Sequence, residues 1–255
     1  MELENKVAVV TGACGGIGLA IVEKFVAEGA KVIAVDLNQG KVDELASTYK
    51  GQVKGVAANV TKYNEVEQMV DAAVEYFGTL DIVVNNAGIG TPKMLIDHDP
   101  VEDFDTVTQV NQKGVYHGIL AGGKKLKELE KSGVILNTSS IYGQMAAEMT
   151  FTYNVSKAAV DMMTKCAALE FAPYNIRVCA VAPGRVDTPL LRQYEALGLW
   201  EHIRREQMRS KFTQPEEIAA VFAFLACDDA NCINGTTVNA DDGFLSFKYP
   251  LLPQV

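Results

Sequence analysis

Short apolar, β-branched runs alternate along this chain with longer segments whose apolar residues recur every three or four positions. The runs are KVAVVT (6–11), KVIAVD (31–36), QVKGVAA (52–58), LDIVVNN (80–86), GVILNTSS (133–140), IRVCAVAP (176–183) and TTVNAD (236–241). Between them the periodicity predicts helices over about 17–28, 39–49, 62–77, 101–130, 151–171 and 215–227. Runs that are apolar on both faces suit strands covered on both sides, and right-handed crossovers then wind them in two directions. The prediction is an α/β fold: one doubly wound parallel sheet with helices on both faces, in a single domain over 1–255. Ligands of such sheets bind outside the carboxyl ends of the strands, near the point where strand order reverses. Those ends are where this chain places its unusual residues.

The first run is followed by TGACGGIG, which spaces Gly12, Gly16 and Gly18 as G-x-x-x-G-x-G. The first two glycines stand one residue farther apart than in the common dinucleotide fingerprint. The physical need is similar: a tight turn, backbone close to a pyrophosphate, and a helix N-terminus aimed at negative charge. Asp36 ends the second run, where a carboxylate accepts from both hydroxyls of an adenosine ribose. It would repel a ribose phosphate by roughly 4 kcal/mol per charge pair at 4 Å and an effective dielectric of 20. Cys14 and Leu37 offer no compensating cation, so NAD(H) is expected over NADP(H). A thiol at a helix N-terminus can have a lowered pKa, which makes Cys14 a candidate redox-sensitive gate on cofactor binding.

Tyr153 and Lys157, in FTYNVSKAA, are four residues apart and share one helix face. A phenol titrates near about 10, and a nearby ammonium favours phenolate. That would make Tyr153 a usable acid for a carbonyl oxygen or a base for an alcohol. Alone, the pair is more often a ring and a cation sharing a helix face. Its surroundings change the picture. Ser140 stands thirteen residues earlier at a strand end, where its hydroxyl can orient the same substrate oxygen. NNAG (85–88) closes another strand with small and amide residues, and APGRVDT (182–188) supplies a turn able to hold a nicotinamide amide. Asn111 lies in the middle of a predicted helix, an unfavourable place for asparagine.

Composition narrows the partners. A net charge of −9 argues against nucleic acid or an anionic membrane surface. Five cysteines without a C-x-x-C pair suit reduced thiols and a cytoplasmic protein. His98, His117 and His202 show no metal-ligand spacing, so no metal is expected. The N-terminus has no basic leader pattern, and the longest apolar run, 218–227, is too short to span a bilayer. A glycan on the Asn154 sequon would sit beside Tyr153, which fits a secreted protein badly.

TGACGGIG, NNAG, Asn111 in VNQKGVY, Ser140, YNVSK and APGRVDT, in that order and spacing, resemble the short-chain dehydrogenase/reductase family over essentially the full length. The resemblance implies a Rossmann-type fold and hydride transfer between NAD(H) and a secondary alcohol or ketone. It assigns Tyr153 as acid/base and Ser140 as its partner in polarising the substrate oxygen. Lys157 would lower the phenol pKa and bind the nicotinamide ribose, while Asn111 would hold a water extending the proton path. The implied cofactor set is Gly12, Cys14, Gly16, Ile17, Gly18, Asp36, Leu37, Asn59, Val60, Asn86, Ala87, Gly88, Tyr153, Lys157, Pro183, Gly184, Val186 and Thr188. Three positions depart from the family pattern: Asn59 stands for an aspartate, Cys179 for a polar residue, and Asp242 for a frequent glycine.

Residues 189–212 should form a short helical lid in which Leu190, Leu191, Leu197, Leu199 and Trp200 line a pocket or pack the lid itself. Arg204 and Arg205 either meet an acidic substrate or carrier or form a solvated face. The apolar lid favours a cyclic or hydrophobic alcohol, hydroxysteroids included. A 3-ketoacyl-carrier-protein reductase, a small diol, acetoin-like or polyol dehydrogenase, and a non-catalytic NAD-sensing protein are the alternatives. The resemblance also implies a homotetramer, and the apolar tail FLSFKYPLLPQV is expected at a subunit interface, its 248–255 portion being the part to delete.

Overall fold

A computed structural model describes residues 2–246. Its strands are β1 (Val7–Thr11), β2 (Lys31–Asp36), β3 (Val53–Ala57), β4 (Ile82–Asn85), β5 (Gly133–Thr138), β6 (Ile176–Pro183) and β7 (Thr237–Ala240). They form one sheet in the order β3-β2-β1-β4-β5-β6-β7, with every neighbouring pair parallel. Each strand lies inside its predicted run. The chain walks outward from β1 to β3 and then returns to β4 on the other side of β1, so strand order reverses between β1 and β4.

Every residue of β1 is buried, and its side chains divide between two cores because successive positions point to opposite faces. Ala8 and Val10 face Phe25 of α1 (Gly16–Ala27) and Phe222 of α9 (Pro215–Ala226). Val7 and Val9 face the other core, with Met69 of α3 (Tyr63–Phe77), Ile119 of α5 (Gly114–Glu128) and Val160 of α6 (Phe151–Phe171). Covering both faces explains why the strands lack polar alternation. α2 (Gln39–Thr48) follows β2, capped by the Asn38 side chain, which accepts from the Lys41 amide.

The helices predicted through 101–130 are present and wound unevenly. Pro100–Asp105 and Gln109–Lys113 are π-helical, with the short α4 (Thr106–Thr108) between them and α5 beyond. Apolar periodicity cannot separate π from α winding over so few residues, and π turns concentrate at functional sites. Asn111 lies in the second one. Between β6 and α9 are two short helices, α7 (Pro189–Ala196) and α8 (Trp200–Arg205). No helix among the described residues is long and apolar enough to cross a membrane. The tail segment expected at an interface, 248–255, lies outside the described residues.

Candidate active site

A cavity of about 430 Å³ opens at the carboxyl ends of β1 and β4. Of the expected cofactor set, Gly12, Cys14, Gly16, Ile17, Asp36, Leu37, Asn59, Val60, Asn86, Ala87, Gly88, Tyr153, Lys157 and Thr188 line it. The glycine turn shows why side chains are excluded. Gly12 and Gly16 have φ of +64° and +51°, in the left-handed region. A Cβ on Gly18 would fall on the Gly12 carbonyl, so Gly18 closes the turn against its helix and does not line the cavity. A Cβ on Gly15 would meet nothing within 4 Å, so this side of the turn lies open at the N-terminus of α1. Bare backbone, an open approach and a helix N-terminus fit the pyrophosphate of a dinucleotide.

The turn is tied to the other side of the switch point. Thr11 Oγ1 accepts from the amides of Asn86 (2.9 Å) and Ala87 (3.1 Å), and Asn86 Nδ2 donates to the Thr11 carbonyl at 3.0 Å. Thr138 Oγ1 donates to Asn86 Oδ1 at 3.2 Å, drawing the end of β5 into the same network. Position 138 is a site residue that periodicity does not reveal, although it adjoins the Ser139–Ser140 pair that does stand out.

Asp36 accepts from the amides of Cys14 (3.1 Å) and Leu37 (2.8 Å) through different carboxylate oxygens. Each oxygen keeps a second lone-pair direction for a ribose hydroxyl. Two expectations need correcting here. Lys41, on α2, also lines this cavity, so a cation does stand near Asp36 despite the uncharged side chains at 14 and 37. The Cys14 thiol is pushed up to about 11, first by burial and then by the Asp36 charge. It precedes the first helical residue by two positions, and Asp36 accepts from its backbone amide. These surroundings do not supply the lowered thiol pKa on which the expected redox gate depends.

Ser140, Tyr153 and Thr138 line a second, smaller cavity of about 120 Å³, as do Pro183, Gly184 and Val186. The last three thus bound the smaller cavity and not the larger. Tyr153, Thr138, Ile17, Thr188 and Leu190 border both, so the phenol stands where the two cavities meet. Ser140 Oγ accepts from the Tyr142 amide at 3.2 Å at the start of a 3-10 turn. Gly90, another position periodicity misses, lets its loop approach the Tyr153 ring: a Cβ there would come within 2.9 Å of Cδ2.

Lys157 is buried, with Nζ 5.5 Å from the centroid of the Tyr153 ring and donating to the Thr138 carbonyl at 2.7 Å. Burial pulls its pKa down to about 8, partly opposed by Asp161. Burial also pushes the Tyr153 phenol up to about 12, against the pull of hydrogen bonding to Ser140. The expected lowering of the phenol by Lys157 is therefore not what governs it here: desolvation dominates, and the ammonium is engaged by a carbonyl. Asn111 spends its amide across the site. Its Oδ1 accepts from the Ile89 amide (2.9 Å), while Nδ2 donates to the Ile89 carbonyl (2.8 Å) and to Ser156 Oγ (3.0 Å). That lock explains an asparagine in mid-helix.

From the 189–212 segment, Leu190, Leu191 and Tyr194 line the smaller cavity. Trp200 instead packs on Phe212, ring centroids 4.5 Å apart, so the predicted apolar set divides between pocket and internal packing. Arg204 pairs with Glu201 at 2.8 Å. Of the three departures, Asn59 lines the cofactor cavity, Cys179 is buried with its thiol toward the Ile233 carbonyl (3.2 Å), and Asp242 takes a φ of 55° while pairing with Arg209 at 2.7 Å. Tyr142 and Arg185, also in the smaller cavity, carry no sequence signal of their own.

Residues 12–245 match the family described as Enoyl-(Acyl carrier protein) reductase. The chain is 36% identical over 248 residues to the 3-oxoacyl-[acyl-carrier-protein] reductase FabG of Thermotoga maritima, covering 96% of this chain and 100% of that one. It is 35% identical to 3beta-hydroxysteroid dehydrogenase 2 of Eggerthella lenta, with 96% of each chain covered. A 3-ketoacyl-(acyl-carrier-protein) reductase from Brucella melitensis, solved in complex with NADH, superimposes with a TM-score of 0.88 at 34% identity, covering 95% of this chain and 99% of that one. The chain belongs to the short-chain dehydrogenase/reductase family, oxidoreductases that act on CH–OH groups with a nicotinamide cofactor.

Proposed function

We propose that this protein interconverts a compact secondary alcohol and its ketone with NAD(H), using Tyr153 as acid/base. The observation that carries the reading is the place of Tyr153, which borders the dinucleotide cavity and the substrate cavity together. A bound nicotinamide cofactor supplies or accepts the hydride. Tyr153 gives its phenolic proton to the carbonyl oxygen in reduction, or takes the alcohol proton in oxidation, and Ser140 orients that oxygen. Lys157 binds the ribose from the floor of the cavity. Asn111 holds the Ile89 peptide beside it and the water of the proton path. Residues 189–212 serve as a lid through Leu190, Leu191 and Tyr194. A cavity of about 120 Å³ suits a cyclic or branched ketone; typical ligand pockets hold roughly 300–1,000 Å³. The relatives named as ketoacyl reductases favour a second reading, an acyl-thioester substrate.

The test is NADH oxidation by the purified protein with simple ketones and with acetoacetyl thioesters. No turnover of either, with NADH bound, would favour a non-catalytic NAD-sensing protein. The pH profile adds a sharper check. A phenol near 12 stays protonated throughout the working range, so reduction should not lose its proton donor as pH rises. Lys157, near 8, loses its charge first. Reductase kcat/KM should therefore fall above about pH 8, and Lys157→Arg, always cationic, should be slower but lack that limb. Persistence of the limb in the variant would assign it elsewhere.

α6 exposes Phe151, Val155, Met162 and Leu169, spaced to lie on one face. Together with exposed Val101 and Phe104, they support a homotetramer. Light scattering should give four times the 27.6 kDa chain mass, and Met162→Glu with Leu169→Glu should reduce it. All five cysteines are free, which supports a cytoplasmic setting.

A further inference from the structure

His117 takes no part in the reaction described above, yet it is a polar side chain set into the apolar face of α5. It is buried, near the core residues Val115 and Ile119 of the same helix. Its Nδ1 stands 2.9 Å from the Val60 carbonyl, fifty-seven positions away in sequence. A carbonyl only accepts, so Nδ1 carries the hydrogen and donates. The Tyr63 ring meets the same imidazole edge-on, with centroids 5.4 Å apart. One turn earlier on α5, Gly114 makes room for the Val60 side chain: a Cβ there would come within 2.7 Å of Val60 Cγ2. α5 therefore holds residue 60 twice, by its side chain at Gly114 and by its carbonyl at His117.

Val60 in turn lines the dinucleotide cavity. β3 pairs with β2 so that Ala57 stands opposite Asp36, and the Ala58 amide donates to the Asp36 carbonyl at 3.0 Å. That register sets Asn59 and Val60 just beyond the carboxylate expected at the adenosine ribose, on the side where the base would lie. The turn's other bonds are local. The Asn59 amide donates to Glu65 at 2.7 Å, and Asn59 Oδ1 accepts from the Thr61 amide at 3.0 Å. They shape the turn without fixing where it stands against the cavity. Among the described residues, His117 alone hydrogen-bonds residues 59–61 from outside the 59–65 segment.

We propose that His117 is a positioning residue for the cofactor's adenine, its hydrogen bond to the Val60 carbonyl fixing the 59–61 turn as the wall on which the base rests. This rests on the proposed reading that NAD(H) fills the larger cavity. Without the bond, the Val60 carbonyl loses its protein donor and the turn is drawn toward water. A cofactor must then re-order the turn as it binds, and that cost falls on its adenosine half. The nicotinamide half meets other elements, with Tyr153 and Lys157 on α6.

Two substitutions separate the hydrogen bond from packing. His117→Phe keeps a ring against Tyr63 but has no donor, whereas His117→Asn gives up the ring and keeps an N–H near the place of Nδ1. NADH fluorescence titration reads cofactor affinity, and displacement by 5′-AMP and by nicotinamide mononucleotide reads each half. His117→Phe should weaken NADH and AMP by about 3–10-fold, the range for one neutral hydrogen bond, and leave nicotinamide mononucleotide unchanged. His117→Asn should bind NADH and AMP close to the native level. A packing role gives the opposite order, with the Asn variant the weaker binder. His117→Leu takes the place of the Phe variant if that one fails to fold. Native AMP affinity in the Phe variant, equal losses for the two halves, or an Asn variant as weak as Phe would overturn the proposal, while NADH binding by the native protein keeps the cofactor reading. No NADH binding by the native protein would overturn both. The expected pattern without turnover of any ketone would preserve the proposal and overturn the reductase reading instead.

Discussion

Tyr153→Phe should lower turnover by roughly 10²–10⁴-fold or more while leaving NADH affinity nearly unchanged. The substitution keeps the ring where the two cavities meet and removes only the hydroxyl. The ring carries the packing, since the Gly90 loop lies against Cδ2 and Lys157 Nζ stands 5.5 Å from its centroid. Folding and the walls of the dinucleotide cavity should survive. Removal of the phenol deletes a proton donor that burial holds at about 12, protonated across the whole neutral range. Ser140 cannot replace it, because a serine hydroxyl is a far weaker acid and already accepts from the Tyr142 amide. The measurements are single-turnover NADH oxidation and NADH fluorescence titration. A Phe variant that retains native turnover would mean the proton comes from another group and the proposed mechanism is wrong.

Asp36→Asn should shift the NAD(H)-to-NADP(H) preference toward the phosphorylated cofactor by about 10–100-fold. An unscreened charge pair at 4 Å and a dielectric of 20 is worth roughly 4 kcal/mol. Asp36 is only partly buried, so solvent and salt reduce that to a fraction. Asparagine keeps an acceptor for one of the two amides that Asp36 now binds, which limits damage to the turn. Lys41 makes the shift a change of preference as well as a loss of NAD. With the carboxylate neutralised, it is the cation lining the adenosine end of the cavity, free to meet a ribose phosphate. The gain in NADP(H) should therefore vanish in Asp36→Asn with Lys41→Ala. Cofactor ratios from kcat/KM with both nucleotides decide it, and an unchanged ratio in the single variant would remove Asp36 as the discriminator.

These two predictions draw on the sequence to different depths. Asp36, Ser140 and the NNAG segment were legible because strand ends are legible: a buried parallel strand stops where its apolar run stops, and the fold puts those stops on one rim. Tyr153 and Lys157 were legible because α6 begins and ends where its period says, which puts positions four apart on the same face. Asn111 stood out as a misplaced residue, but its purpose needed the loop at Ile89, which packs against it from twenty-two positions away. Lys41 was invisible as a cavity residue, since it lies on the exposed face of an ordinary helix and matters only through the way α2 returns toward β2.

The sequence by itself determined the sheet, the order of its motifs and most of the residues that line the two cavities, because local period and strand-end chemistry place all of these. Only the tertiary structure decided the electrostatic state of those residues. Desolvation depends on what every neighbouring segment covers, and it moves the Tyr153 phenol up, the Lys157 ammonium down and the Cys14 thiol up, where motif reasoning pointed elsewhere for the tyrosine and the cysteine. It likewise decided that Tyr142, Arg185 and Tyr194, from three separate segments, line one cavity.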